Sequence, residues 1–182
     1  MGKVPPELLS RLLAGADVDL PDLILGPRTG RDAAVVQFAE GHAVLASDPV
    51  TFPTERPGWY VVHVNANDVA CLGAEPRWFL ATILVPPATD ETELEAIFHD
   101  LHAACAEVGA TLVGGHTEVS DAVTRPVISG TMIGEAPQRR LHLAQGAQPG
   151  DALILVGAVA IEGTALLASE IPDRLLAAGL SP

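Results

Sequence analysis

With 182 residues, 48% of them apolar and only 18% charged, the chain has the apolar content for one complete core and the opening of a second, which excludes a disordered polypeptide. Ten basic residues against 23 acidic ones leave a net charge of −13, which repels a phosphate backbone and excludes nucleic acid as a partner. The single lysine, Lys3, rules out a P-loop, and no apolar run reaches the roughly 20 residues of a membrane helix. The first ten residues, MGKVPPELLS, contain no apolar signal core, so the expected address is the cytoplasm. Cys71 and Cys105 sit among alanines and leucines and read as small core residues.

In chain order, an amphipathic helix is predicted over 6–14, with Pro6 in its first turn. The stretch LILGPRTGRDAAVVQFAEGHAVLASDPV reads as a Gly-rich loop, a strand Ala33–Phe38, a turn at Glu40 and Gly41, and a strand over 42–47, a pair resembling a β-hairpin. Residues 60–72 suit a helix that ends before Gly73, and 79–85 a strand closed by Pro86 and Pro87. In Glu91–Val108, the residues Leu94, Ile97, Phe98, Leu101, Cys105 and Val108 recur at helical spacing behind an Asp90/Glu93 capping box and ahead of Gly109. A short strand over 111–113, a loop of Gly114, Gly115, His116 and Thr117, and a strand over 127–133 follow. The segment GAQPGD marks a boundary, leaving one domain over 1–149. From 150 to 182 a strand over 152–156 and a helix over 162–176 open a second domain that cannot close a core alone. Strands and helices alternate without a strict βαβ rhythm, which predicts an α+β domain with a mixed or antiparallel sheet and flanking helices.

Without a P-loop, phosphate charge must be met by cations on carboxylates, by backbone N–H groups or by arginine. Magnesium takes oxygen ligands and is held by one or two carboxylates per ion together with substrate phosphates. Asp32 opens the first hairpin strand, Asp48 ends the second after Ser47, and Asp68 lies one helical turn beyond Asn65 on the same face. Asp32 and Asp48 therefore meet at one end of the hairpin, where their repulsion calls for a cation. Other readings stand beside this one. Asp48 before Pro49 also suits an ordinary turn, Asp32 a solvated loop end or a partner of Arg28 or Arg31, and Asp68 a buried hydrogen bond to a helix or loop N-terminus. The segment LVGGHTEV offers two glycines whose N–H groups can approach an anion, then His116, Thr117 and Glu118. His116 equally suits a solvated loop histidine, and His99 and His102 lie off the core-facing stripe of their helix.

Together and in this order, these segments resemble the aminoimidazole ribonucleotide (AIR) synthase, or PurM-type, superfamily, which also includes thiamine-monophosphate kinase, selenophosphate synthetase and hydrogenase expression/formation protein E (HypE). GRDAAVV is similar to that group's Gly-Asp-Asp-Ala-Ala strand, LASDPV to its Ser-Thr-Asp segment, NANDVACLGAEP to its Asn-x-x-Asp helix, VGGHTEV to its Gly-Gly-(Asp/His/Glu)-Thr loop, and GAQPGDALILVGAVAIEGTALLASE to the start of its second domain. The resemblance implies ATP and Mg2+ as cofactors and a homodimer with ATP sites at its junction. Asp32, Asp48 and Asp68 would hold magnesium, Gly30 and Arg31 would lie at the phosphate-facing turn, Ser47 and Asn65 would assist, and Gly114, Gly115, His116 and Thr117 would meet phosphate or metal. The implied activity is phosphoryl transfer, or phosphate activation of an amide or carbonyl oxygen in a small molecule or protein. The alternative is a non-catalytic dimerisation or nucleotide-binding module, such as a hydrogenase-maturation accessory protein. Arg31 stands where many relatives have an aspartate, and His116 replaces the aspartate of kinase-like members. The linker lacks the usual Thr-Arg-Ser, although Arg139 and Arg140 lie just upstream, and GGHTEV with IEGTALLASE resembles an AIR synthase-related group near the HypE branch.

Overall fold

The structure is a computed structural model that describes residues 5–13, 20–31, 33–38, 41–137, 141–142 and 147–180. Asp32, Glu40, Arg139, Arg140 and Gln145 lie outside the described residues. Alternation of buried and outward positions suits a pleated strand with one covered face. AAVVQF and GHAVLA obey it as β2 (Ala33–Phe38) and β3 (Gly41–Ala46), paired antiparallel from Ala33 with Ala46 to Phe38 with Gly41. Ahead of them are α1 (Pro6–Leu13) and a strand, β1 (Leu23–Leu25), inside the stretch expected to be loop.

Among the described residues, seven strands form one sheet in the order β1-β2-β3-β7-β5-β6, with the two-residue β4 (Pro49–Val50) paired to β7 (Val127–Pro137). Every pairing is antiparallel except that of β5 (Glu75–Val85) with β6 (Thr111–Val119). A parallel pair needs a long crossover, and α3 (Glu91–Val108) supplies it. The Asp90 carboxylate accepts the Glu93 N–H at 2.8 Å and Gly109 closes α3 in the left-handed conformation, so both predicted α3 ends form by local chemistry.

The helix α2 (Pro57–Cys71) and α3 cover one face of the sheet. Val61, Val62 and Val69 of α2 and Ile97 and Leu101 of α3 join Val35, Val44, Phe79, Ile83, Ile128 and Met132 in one core. The close seat of α2 on β7 depends on missing side chains: a Cβ on Gly130 would stand 2.6 Å from both the Asn65 amide nitrogen and the Phe79 ring, and one on Gly134 would collide with Val69. Among the described residues, no helix lies over Phe38, Leu45, Trp78 and Ile133 on the opposite face of the sheet, and Phe38 is 75% exposed.

Three sequence expectations need correction. The loop expected at 114–117 is strand, because β6 continues to Val119 along β5, with Gly115 beside Ala81 and His116 beside Thr82. Residues 152–156 form no strand, since a strand needs a ladder partner and none is present among the described residues; Leu153, Ile154 and Val156 stand at least 80% exposed. The single helix expected over 162–176 is two, α4 (Ile161–Glu170) and α5 (Pro172–Ala177), because Pro172 lacks the N–H that would continue the first. No helix among the described residues is long and apolar enough to cross a membrane.

Candidate functional site

The segment leaving β3 is held by two neighbouring elements. Asn65, fully buried on α2, accepts the Asp48 N–H at 2.9 Å through Oδ1, while its Nδ2 donates to the Asp48 carbonyl at 3.1 Å and to the Val61 carbonyl at 2.7 Å. From β7, the Gly130 N–H donates to the same Asp48 carbonyl at 3.0 Å. The Ser47 hydroxyl donates to the Gly130 carbonyl at 2.8 Å and lies 3.0 Å from the Thr131 hydroxyl. Asp48 is half-buried, and Asp68, also half-buried, follows Asn65 by three residues on α2 and so lies on the same side of that helix. The structure therefore gathers Ser47, Asp48 and Asn65 around one junction of β3, α2 and β7, with Asp68 one turn further along α2. Ala33, the residue after Asp32, pairs with Ala46, two positions before Asp48.

The glycine segment of β6 is level with this junction along a row that crosses the sheet. Gly130 receives the Asp48 segment, pairs with Ala81 of β5, and Ala81 pairs with Gly115 of β6. One step along, Thr131 pairs with Leu80 and Leu80 with Gly114; one step the other way, Ser129 pairs with Thr82 and Thr82 with His116. The two predicted parts of the site are therefore level but not in contact: with β7 and β5 between them, the segment that follows β3 and the strand β6 are separated by about 14 Å, three strand spacings. Gly115 has φ +144°, and a Cβ there would collide with the Ala81 carbonyl, so this crossing of β5 and β6 requires glycine. The residues from Gly114 to Val119 are exposed, and a cleft of about 460 Å³ runs between this strand and α3, reaching Phe98, His102, Gly115 and His116.

His116 Nε2 faces the Glu118 carboxylate of its own strand at 3.4 Å. Arg31 donates to the Gly26 carbonyl at 3.1 Å and holds the turn in which Gly30 adopts φ +82°. Among the described residues no three His, Cys, Asp or Glu side chains gather as a metal cluster; Asp32, the third member of the expected trio, lies outside that set. Asp48, Asp68 and Ser47 supply only oxygen, the donor set that suits a hard cation, so the junction fits magnesium chemistry. Sequence reasoning missed Gly130 and Thr131, although glycines recurring inside an apolar strand, as in VISGTMIG, signal a close approach by a neighbour.

Comparison with known proteins identifies the family of this fold. The family "AIR synthase related protein, N-terminal domain" matches residues 30–136, more than half of the chain, and this span holds β2 to β7 with both covering helices. The chain belongs to that family. Thiamine-monophosphate kinase of Pyrococcus horikoshii is 31% identical over 84% of this chain and 52% of its own length. Carbamoyl dehydratase HypE of Rhizobium leguminosarum bv. viciae is 31% identical over 77% of this chain and 42% of its own. The crystal structure of hydrogenase maturation protein HypE in complex with ATP superposes with a TM-score of 0.55 at 29% identity, covering 77% of this chain and 43% of that one. This AIR synthase-related chain thus spans about half the length of the curated relatives it matches.

Proposed function

We propose that this chain is the nucleotide-binding part of an ATP- and Mg2+-dependent enzyme, acting by phosphoryl transfer or by phosphate activation of an amide or carbonyl oxygen. The observation that carries this reading is the crosswise row that sets Asp48 and the Gly114 to Thr117 segment level on one sheet, in a family whose HypE member is described with ATP. Asp48 and Asp68, with Asp32, would hold the cation, and Ser47 and Asn65 would support them. Gly30, Arg31 and the exposed N–H groups of β6 would meet phosphate, with His116 in place of an acidic ligand. Magnesium, when bound, neutralises phosphate charge and fixes the phosphate oxygens. The residues of the chain orient the nucleotide, and catalysis by positioning and charge neutralisation is what phosphoryl transfer demands.

Two further parts of the proposal concern assembly. The uncovered apolar face of the sheet around Phe38, Leu45, Trp78 and Ile133 supports a homodimer. The exposed apolar segment from Leu153 to Val156, followed by α4, supports residues 150–182 as the start of a second domain.

Isothermal titration with ATP, with and without Mg2+, tests the reading. Magnesium should tighten ATP binding, and the double variant Asp48→Ala/Asp68→Ala should lose at least about tenfold in that Mg2+-dependent affinity, the equivalent of one lost charge-assisted contact. Unchanged binding in the double variant refutes the site. A second reading, a binding module without turnover, is favoured by the contact of His116 with Glu118 in place of a carboxylate ligand. Release of phosphate from ATP by the purified protein separates the two.

A further inference from the structure

We infer that Asn65 is a positioning residue that fixes the Asp48 backbone, and that it is not itself a ligand of cation or phosphate. The inference rests on the reading of Asp48 as a cation ligand and says how this fold holds it in place. Asn65 is the one buried polar side chain among the described residues, and it has no accessible surface. An amide side chain has two N–H donors, and both are spent: one on the Asp48 carbonyl at 3.1 Å, the other on the Val61 carbonyl at 2.7 Å. Its oxygen accepts the Asp48 N–H at 2.9 Å. The surroundings also set which way the amide points, because one neighbour is a donor and two are acceptors; the flipped amide would set N–H against N–H. Nothing on Asn65 is left to reach solvent.

The Asp48 peptide is correspondingly closed. Its N–H and carbonyl are both bonded to Asn65, its carbonyl also accepts from Gly130, and Pro49 follows with no N–H of its own. Gly130 completes the arrangement, since a Cβ at that position would stand 2.6 Å from the Asn65 nitrogen. Helix α2 and strand β7 thus grip the Asp48 main chain from two sides, and the carboxylate is the part of the residue left to bind. Asp68, one turn further along α2, is carried by the same helix that carries Asn65.

The test compares Asn65→Ala and Asn65→Asp with the wild-type chain. Aspartate offers an acceptor but sets a carboxylate against two carbonyls, whose repulsion drives the side chain from its seat and costs the bond from the Asp48 N–H as well, so a positioning role predicts that both variants fail alike. In each, the Asp48 amide should exchange with solvent roughly tenfold faster or more, the effect of losing one buried hydrogen bond, and Mg2+-dependent ATP affinity should fall by a similar factor at a temperature where circular dichroism shows both folded. If Asn65→Asp binds Mg2+ and ATP as tightly as wild type or more tightly, Asn65 is a ligand and the inference is overturned. If both variants only melt earlier with binding unchanged, Asn65 is a core residue alone and the inference is equally overturned. Should the variants not fold, the wild-type protein without nucleotide or metal decides: its Asn65 side-chain amide and Asp48 amide must be protected, and free-amide exchange rates refute the grip. Protected amides in a wild-type chain that binds no ATP would defeat the nucleotide reading while leaving the grip on Asp48 in place.

Discussion

Cys71 and Cys105 look alike in the sequence, each among alanines, yet their surroundings differ. Cys71 ends α2 in an exposed position, whereas Cys105 is buried under α3 and burial pushes its thiol up to about 11. Thiolate is the reactive form, and a thiol with so high a pKa yields almost none at neutral pH. Alkylation with iodoacetamide at pH 8 should therefore modify one cysteine per native chain, Cys71, and a second only after denaturation; peptide mapping by mass spectrometry reads the result. The core reading of Cys105 holds, and that of Cys71 does not, because helical spacing assigns a face only where the partner layer is known. Asn65 teaches the same lesson more sharply: its sequence position one turn before Asp68 placed it near the site, but only its three partners assign what its amide does.

Between elements, α2 and α3 are tied on their outer side as well as through the core. Glu107 of α3 accepts from the Trp59 indole N–H at 2.9 Å and faces His63 Nε2 at 3.0 Å, and Arg56 pairs with Asp100 at 3.5 Å. The Trp59 hydrogen bond, then the His63 contact, holds the Glu107 carboxyl below the ordinary carboxylate range. A carboxyl depressed in the folded state stabilises it above the unfolded pKa and gives that up as pH falls through the folded value. The clamp should thus be intact near neutrality, begin to weaken below about pH 4, where unfolded carboxylates protonate, and be gone once the folded carboxyl itself is protonated. Melting curves of Glu107→Gln and wild type between pH 3 and 7 check this. The wild type should be the more stable at pH 7, with the difference closing toward pH 3; a gap independent of pH would refute it. The predicted α3 is recovered end to end because its cap, its stripe and its terminal glycine are all local. The short strands β1 and β4 escaped notice, since two or three residues carry no periodicity and exist only as ladder partners of β2 and β7.

At the scale of the whole sheet, two helices cover one face, and among the described residues the other is open and apolar around Phe38 and Trp78. If that face pairs with a second copy, Phe38→Glu/Trp78→Glu should shift sedimentation equilibrium toward monomer with little change in melting temperature, because neither side chain belongs to the buried core. A chain that stays dimeric with both substitutions pairs elsewhere. The sequence alone determined the α+β class, the hairpin of β2 and β3, the helix α3 with both its ends, and the acidic and glycine segments as candidates. Each of these is written in periodicity, capping or turn chemistry over a few neighbouring residues. What only the tertiary structure decided is how those segments stand to one another: that Gly115 continues a strand, that residues 152–156 do not form one, and that Gly130 and Ala81 connect Asp48 to Gly115 in one row. Strand order and register depend on partners far apart in the chain, and no local pattern specifies which backbone groups will meet.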